Sequence, residues 1–237
     1  MIHAMRPSLI ALLVLAGASN VRAEPLPELL QAVAANARFD TPARADVRIE
    51  CTGCKASGAQ VALLGRGESI YVEVRDGMRA LVRPGEVFVL RGGKAAKGDV
   101  GQTLADTDLL LEDLSVFTPA SLKTPQVSDD GPAGVVVTAA PAFPSAWVLV
   151  VHTIDPERHA IVRSLRYRDA VNNLAATQRN LSQVRVGNAW RPQEITAENL
   201  RKATKVSLKL VWHEAPEALA DLFEPSGLER PSGLSWP

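Results

Sequence analysis

The alternation of apolar and polar residues along the chain predicts a sheet of short antiparallel strands. Alternation is clearest at residues 205–213, where every second side chain is apolar, the period of a strand with one buried face. Turn signals at Asp76-Gly77, at Pro84-Gly85 and at residues 155–158 separate neighbouring runs, as sequential hairpins require. The other predicted strands are 47–51, 60–64, 70–75, 78–82, 86–90, 147–154 and 161–168.

Helical spacing is confined to three short segments. Residues 25–38 place leucine, valine and alanine at helical spacing behind two prolines, which predicts one amphipathic helix. Residues 107–115 (TDLLLEDLS) predict a second helix, and a short helical stretch is expected after Pro216. The stretch 84–134 is interpreted as an excursion from the sheet, with loops at 92–101 and 124–134. The fold class is therefore mainly antiparallel β with a few helices (α+β), a curved sheet with a small helical layer.

The first 23 residues have the pattern of a secretory signal peptide. Arg6 supplies the positive charge, residues 8–17 form a short apolar run, and Val21-Arg22-Ala23 ends in a small residue. The alternative, a buried N-terminal helix, is disfavoured because the run has no amphipathic stripe. We expect cleavage after Ala23, a periplasmic location, one domain over 24–224 and a flexible tail over 225–237.

Charge and motifs narrow the possible functions. The chain has 26 basic and 26 acidic residues, so it offers no field that would attract nucleic acid. The sequence lacks the G-x-S-x-G, H-E-x-x-H, P-loop and dinucleotide-binding signatures, which disfavours an enzyme and a cofactor. Four potential metal ligands at 152–159 are typical of a solvated turn, so no metal is predicted.

The two cysteines, Cys51 and Cys54, are close in sequence and follow a predicted strand. An exported protein meets an oxidising compartment, and paired hairpin positions lie about 5.5 Å apart, within disulfide range. A thioredoxin-like role would require a helix after the first cysteine, and zinc would require two more ligands. The order of preference is a disulfide, then free thiols, then metal or redox chemistry.

The carboxyl half carries motifs that resemble a known family. The run IDPERHAIVRSLRYRD from Ile154, the segments NAWRPQEITAEN and KVSLKLVW, and the end PEALADLFEPSGLER resemble the outer-membrane lipoprotein-sorting proteins, relatives of the periplasmic carrier LolA. Residues 187–192 match the family's Gly-x-Trp-x-Pro element with one extra residue, and DLLLEDLS is similar to its acidic segment. The resemblance covers most of 104–230, whereas residues 43–100 match the family only in the order and general pattern of their predicted strands.

The resemblance implies a half-closed β-barrel whose sheet curves around a hydrophobic cavity under a helical lid. Such a cavity would shield acyl chains, since each buried methylene contributes about 0.8 kcal/mol. For each candidate residue, ordinary core packing remains the alternative interpretation. The implied cavity-wall residues are Trp147, Leu149, Ile161, Leu165, Val206, Leu208, Leu210 and Trp212, and the implied lid residues are Leu109, Leu110 and Leu114.

The sequence therefore predicts a periplasmic, non-enzymatic carrier of lipid or lipoprotein acyl chains. Its expected partners are those chains, together with a membrane exporter or an outer-membrane acceptor. The alternative from another class is an interaction or regulatory module on the same scaffold, such as an accessory subunit of an envelope export pump or a stress sensor. Bound lipid would distinguish the carrier from the module.

Overall fold

The computed structural model describes residues 24–55, 57–75, 77–131, 133–215 and 217–236. The predicted signal peptide therefore lies outside the described residues. Most of the described chain forms one antiparallel sheet, preceded by the helix α1 (Leu26–Ala37) that the sequence predicted. The strands are β1 (Phe39–Thr52), β2 (Gln60–Gly67), β3 (Ser69–Val74), β4 (Arg79–Arg83), β5 (Glu86–Arg91), β6 (Lys94–Lys97), β7 (Leu122–Gly131), β8 (Gly134–Pro141), β9 (Leu149–Asp155), β10 (Ala160–Tyr167), β11 (Leu174–Val186), β12 (Ala189–Asn199) and β13 (Thr204–Glu214).

The sheet is open, and its first and last strands pair at its centre. The strand order is β6-β5-β4-β3-β2-β1-β13-β12-β11-β10-β9-β8-β7, so β6 and β7 are the edges. Every neighbouring pair is antiparallel, and most neighbours are joined by short turns. The predicted fold class is confirmed. Among the described residues, no helix is long and apolar enough to cross a membrane.

The main core lies on the concave face of β1 to β5, β12 and β13, beneath the lid segment, which we define as residues 102–118. Val206, Leu208 and Ile195 of the sheet pack there against buried leucines of the lid segment. Those lid leucines are Leu104, Leu109, Leu111 and Leu114. The segment contains a 3₁₀ turn at Leu111–Leu114 where the sequence predicted a helix. A bridge between Thr103 and Leu110 folds it back on itself instead.

Helix α1 covers β8 and β9, in the half of the sheet that ends at the edge strand β7. Its buried side chains, Leu29, Leu30 and Val33, occupy one face at helical spacing. They pack with residues of β8 and β9, including Val137 and Ile154. This packing explains why a helix of only 12 residues is stable, since so short a helix is marginal without tertiary contacts.

The C-terminal cover, which we define as residues 217–236, packs on the convex face. Leu222, Phe223 and Leu228 bury Leu64, Tyr71 and Leu81 there. The Arg79 guanidinium donates to the carbonyls of Leu228 and Arg230 at 3.2 and 2.8 Å. The tail predicted to be flexible from residue 225 therefore lies against the sheet, with 3₁₀ helices at Glu217–Phe223 and Pro225–Glu229.

Two segments predicted as loops are edge strands. The loop prediction for 92–101 was wrong because it contains β6, and that for 124–134 was wrong because β7 fills most of it. Cys51, at the end of β1, forms a disulfide with Cys54, and their Cα atoms are 5.8 Å apart. The predicted disulfide is thus present, although Cys51 pairs in the sheet with Val206 and not with Cys54.

Candidate functional site

A cavity of about 700 Å³ lies on the concave face, between the sheet, α1 and the lid segment. This volume is within the range of small-molecule sites. Most of its wall is apolar and comes from elements far apart in sequence. The apolar lining residues include Val33, Phe39, Leu63, Ile70, Leu114, Val116, Phe117, Leu122, Trp147, Val150, Ile161, Ile195, Leu210 and Trp212.

The structure brings five of the eleven residues implied as cavity wall or lid to this cavity. They are Trp147, Ile161, Leu210, Trp212 and, from the lid segment, Leu114. Leu210 is buried, and Trp212 is half-buried and donates its indole N–H to the carbonyl of Pro192 at 2.8 Å.

The other six lie elsewhere. Val206, Leu208 and Leu109 are buried in the close-packed core, and Leu110 is buried beside them in the lid segment. Leu149 and Leu165 point to the convex face, because the cavity-lining His152 and Ser164 pair with each other and their strand neighbours face the opposite way. A register shift between Ile161 and Arg163 allows Ile161 to line the cavity when Leu165 does not.

A buried ion pair ties the lid segment to the sheet at one end of the cavity. Arg166 of β10 lies 2.9 Å from Asp113 of the lid segment, and the Trp147 indole N–H donates to the same carboxylate at 2.9 Å. Beside it, the Glu112 carboxylate accepts hydrogen bonds from the Ser145 hydroxyl at 2.7 Å and the Ala146 amide at 3.0 Å. Burial raises the pKa of both carboxyls, and the Arg166 charge opposes this rise.

A second attachment, at Asp108, joins the lid segment to the turn between β12 and β13. The Asp108 carboxylate accepts hydrogen bonds from the Lys202 ammonium and the Thr204 hydroxyl, each at 2.6 Å. Burial favours the protonated form of Asp108, but these two donors outweigh it and lower the pKa of the carboxyl. The lid segment is therefore fixed at the β12–β13 turn and at β10, and its residues 112–117 line the cavity.

Arg191 joins α1 to the sheet. Its guanidinium donates to the carbonyls of Asn36, Ala37 and Arg38 at 2.8, 2.8 and 2.5 Å, at the helix end where carbonyls lack partners. It also lies 4.0 Å from the centre of the Phe39 ring. Burial lowers its pKa to about 10, so it stays charged at neutral pH.

Polar side chains form one part of the cavity wall. On β9 and β10, His152 Nδ1 lies 2.9 Å from the Ser164 hydroxyl, and burial lowers the pKa of His152 to about 3, so its ring is neutral at physiological pH. On β11, Gln178 accepts a hydrogen bond from Arg166 at 2.9 Å, and Asn180 and Gln183 also line the cavity. In the described ranges, no three potential metal ligands cluster.

Sequence reasoning missed most of this polar wall. Arg166 was not among the predicted site residues, and the amides of β11 carried no motif. Two features of the sequence could have identified Arg166. It follows Leu165 in a strand that pairs with the apolar strand β9, and an acidic pair, Glu112-Asp113, lies in the leucine-rich segment 108–115.

Comparisons with solved structures identify the fold. A Vibrio parahaemolyticus domain described as an outer membrane lipoprotein-sorting protein superposes with a TM-score of 0.69 at 12% identity, covering 86% of this chain and 97% of that one. A LolA superfamily protein from Nitrosomonas europaea gives 0.65 at 13% identity, covering 85% and 98%. A DUF1329 family protein from Desulfovibrio piger gives 0.66 at 12% identity, covering 86% and 99%.

No protein-family model and no curated protein matches the sequence. At these identities the structural likeness establishes the fold alone. The chain has a LolA-like fold, as its carboxyl-half motifs predicted.

Proposed function

We propose that this LolA-like chain is a non-enzymatic periplasmic carrier that binds acyl chains of a lipid or lipoprotein in its concave cavity. The observation that carries the proposal is the cavity of about 700 Å³, with apolar side chains from α1, the lid segment and the sheet on its wall. Burial of apolar chain atoms in such a wall supplies affinity without a catalytic group, at about 0.8 kcal/mol per methylene.

Two further features support this location and role. The predicted signal peptide would export the chain, and the Cys51–Cys54 disulfide suits an oxidising compartment. The lipoprotein-sorting description of the Vibrio parahaemolyticus domain agrees with an acylated cargo. A membrane exporter as donor and an outer-membrane acceptor complete the proposal.

Leu210 and Val211 provide a matched test on one strand. Leu210 lines the cavity, whereas its neighbour Val211 is 59% exposed on the convex face. We expect Leu210→Glu to abolish binding of a fluorescent fatty acid, because a carboxylate in an apolar wall opposes burial of the chain. Val211→Glu should bind as wild type does. Circular dichroism and thermal unfolding of both variants would verify that the sheet is intact.

A cavity-filling variant distinguishes a loss of binding from a loss of folding. Ile161→Trp adds apolar volume to the wall without burying a charge, so it should weaken probe binding while the protein remains folded. Mass spectrometry of an organic extract of the native protein should detect acyl lipid. If wild type binds no acyl probe and its extract holds no lipid, the carrier function is wrong and the interaction-module alternative is favoured.

A further inference from the structure

Two exposed apolar side chains mark a place where the cavity opens to solvent. Among the described residues, Val100 and Phe143 are the large apolar side chains that both line the cavity and are exposed, by 55% and 38%. Other exposed large apolar side chains, such as Val211, lie away from the cavity. Exposed apolar groups at the rim of an apolar cavity are typical of a ligand-binding groove.

Both side chains lie beside the turn between β4 and β5. The loop that carries Val100 is attached to β5, because the Gly98 amide donates to the carbonyl of Val87 at 2.7 Å. Phe143 lies in the loop between β8 and β9, and its ring packs on Gly85 so closely that a Cβ atom at that glycine would be 2.5 Å from Phe143 Cγ. We define the mouth of the cavity as residues 84–85, 98–101 and 142–146.

The contact of Phe143 with Gly85 bridges the mouth. The β8–β9 loop belongs to the part of the sheet that ends at β7, whereas the β4–β5 turn belongs to the part that ends at β6. Gly85 leaves room for the ring, since a side chain at this position would collide with it. The two ends of the open sheet are therefore brought together at the mouth by an apolar contact.

The loop that carries Phe143 is anchored on both sides of the ring. The Ala142 amide donates to the carbonyl of Ser121 at 2.9 Å, and the Ser145 hydroxyl donates to Glu112 at 2.7 Å. Within the part of the chain that the structure describes, Phe143 itself forms no hydrogen bond. Moving the ring away from the mouth therefore breaks no hydrogen bond of this residue.

Elsewhere the boundary of the cavity is held by polar contacts. Beside α1, the Trp190 amide donates to Asn36 Oδ1 at 2.7 Å, and His159 Nε2 lies 3.4 Å from the Glu24 carboxylate. The lid segment is held by the buried ion pair of Asp113. Passage of an acyl chain at either place would break hydrogen bonds or an ion pair, whereas passage at the mouth displaces one apolar ring.

We infer that acyl chains enter and leave the cavity through this mouth, and that Phe143 closes it by packing on Gly85. This inference rests on the proposed function and adds the route that the ligand takes. The exposed side chains of Val100 and Phe143 give the acyl chain an apolar path from the rim to the cavity wall.

A pair of valine variants tests the route. Val100 and Val211 are both exposed, but of the two only Val100 lines the cavity. Val100→Trp should narrow the mouth and lower the rate constants for association and dissociation of cis-parinaric acid by about fivefold each, with little change in Kd. Val211→Trp should bind at the wild-type rates. Stopped-flow fluorescence of the full mature protein measures both rate constants.

Phe143→Ala tests the closing residue in the opposite direction. Both rate constants should rise by about fivefold, since the aromatic contact with Gly85 no longer has to break. Equal changes in the two directions indicate a barrier, because a group that holds the bound chain would change dissociation and Kd. Leu200→Ala, at an exposed position outside the cavity, is the control. Thermal unfolding verifies that each variant is folded.

Wild-type rate constants in both Val100→Trp and Phe143→Ala would mean that the chain passes elsewhere. A loss of affinity in Phe143→Ala through dissociation alone would mean that Phe143 belongs to the binding wall. Either result would overturn the inference and leave the carrier function standing. If wild type does not bind cis-parinaric acid, the carrier function and the inference are both wrong.

Discussion

Arg166 and Asp113 are charged side chains only 8% and 5% exposed, and each is the principal counter-charge of the other. Taking both from water is expensive, and their 2.9 Å contact offsets this only while both remain. Burial favours the neutral form of Asp113, so its ionised state depends on Arg166. The pair therefore specifies where the lid segment rests more than it adds to net stability.

Removing one member of this pair should harm the fold more than removing both. We expect Arg166→Met to lower the free energy of unfolding by about 3–5 kcal/mol, because it leaves a buried carboxyl with no cation. The double variant Arg166→Met/Asp113→Leu should recover most of that loss. Urea denaturation of wild type, the single variants and the double variant measures the coupling. Additive losses would show that the two side chains do not act as a pair.

His152 should make the protein sensitive to mild acid. Its pKa is about 3 in the folded chain against about 6.5 when unfolded, so below pH 6.5 the unfolded chain takes up a proton that the folded chain does not. The contribution of the neutral His152 to the free energy of unfolding is therefore complete above pH 6.5. It falls as pH decreases, by up to about 1.4 kcal/mol per pH unit.

The variant His152→Asn should lack this loss, and comparing it with wild type cancels the contribution of the carboxyls. Urea unfolding at pH 7.0, 6.0 and 5.0 gives the difference, and His213→Asn on the convex face serves as the control. If wild type and His152→Asn lose stability in parallel between pH 7 and 5, the buried ring is not the source of the acid sensitivity.

At single residues, the sequence predicted side-chain direction only where the strand is regular. Val206, Leu208 and Leu210 alternate on an unbroken strand, and all three face the concave side. Leu165 was assigned to the wrong face because the register shift between Ile161 and Arg163 has no signal in the residue types themselves. The sequence of a strand also does not distinguish a buried arginine from a solvated one, because only the fold shows whether a carboxylate lies beside it.

Elements that bury apolar rows were predictable, and elements at the edge of the sheet were not. The strand β13 buries one apolar row, which leaves a period of two in the sequence, whereas β2 to β4 bury apolar residues on both faces. The edge strand β6 has the sequence KAAK and buries no side chain, so its composition is that of a loop. Lysines on an edge also discourage pairing with another chain.

Tertiary contacts determine the conformation of two short elements, the lid segment and the C-terminal cover. Three successive leucines at 109–111 cannot share one helical face, and in the structure they are buried from an irregular segment. Residues 225–237 are rich in proline, glycine and serine, which predicted a flexible tail, but Leu228 packs with Leu222 and Phe223 on a hydrophobic patch of the convex face. That patch is formed by strands whose second apolar face the alternation did not reveal.

Two features hold the whole molecule together, the pairing of β1 with β13 and the lid segment. Pairing of β1 with β13 joins an arm of β2 to β6 with an arm of β7 to β12. The lid segment comes from the chain between the arms, packs on the core of the first and pairs through Asp113 with the second. The lid segment thus contacts both arms, and we propose that residues 24–224 are one domain.

We expect this single domain to unfold in one cooperative transition, although chains of this length often populate intermediates. Far-UV circular dichroism would follow the sheet as a whole. Tryptophan fluorescence of a Trp147→Phe/Trp236→Phe variant would follow Trp190 and Trp212, which lie on the adjacent strands β12 and β13. The two urea curves should superimpose, because the arms share the lid segment and the β1–β13 pairing. A partial circular dichroism change that precedes the fluorescence change would mean that one arm unfolds independently, and the single-domain proposal would be wrong.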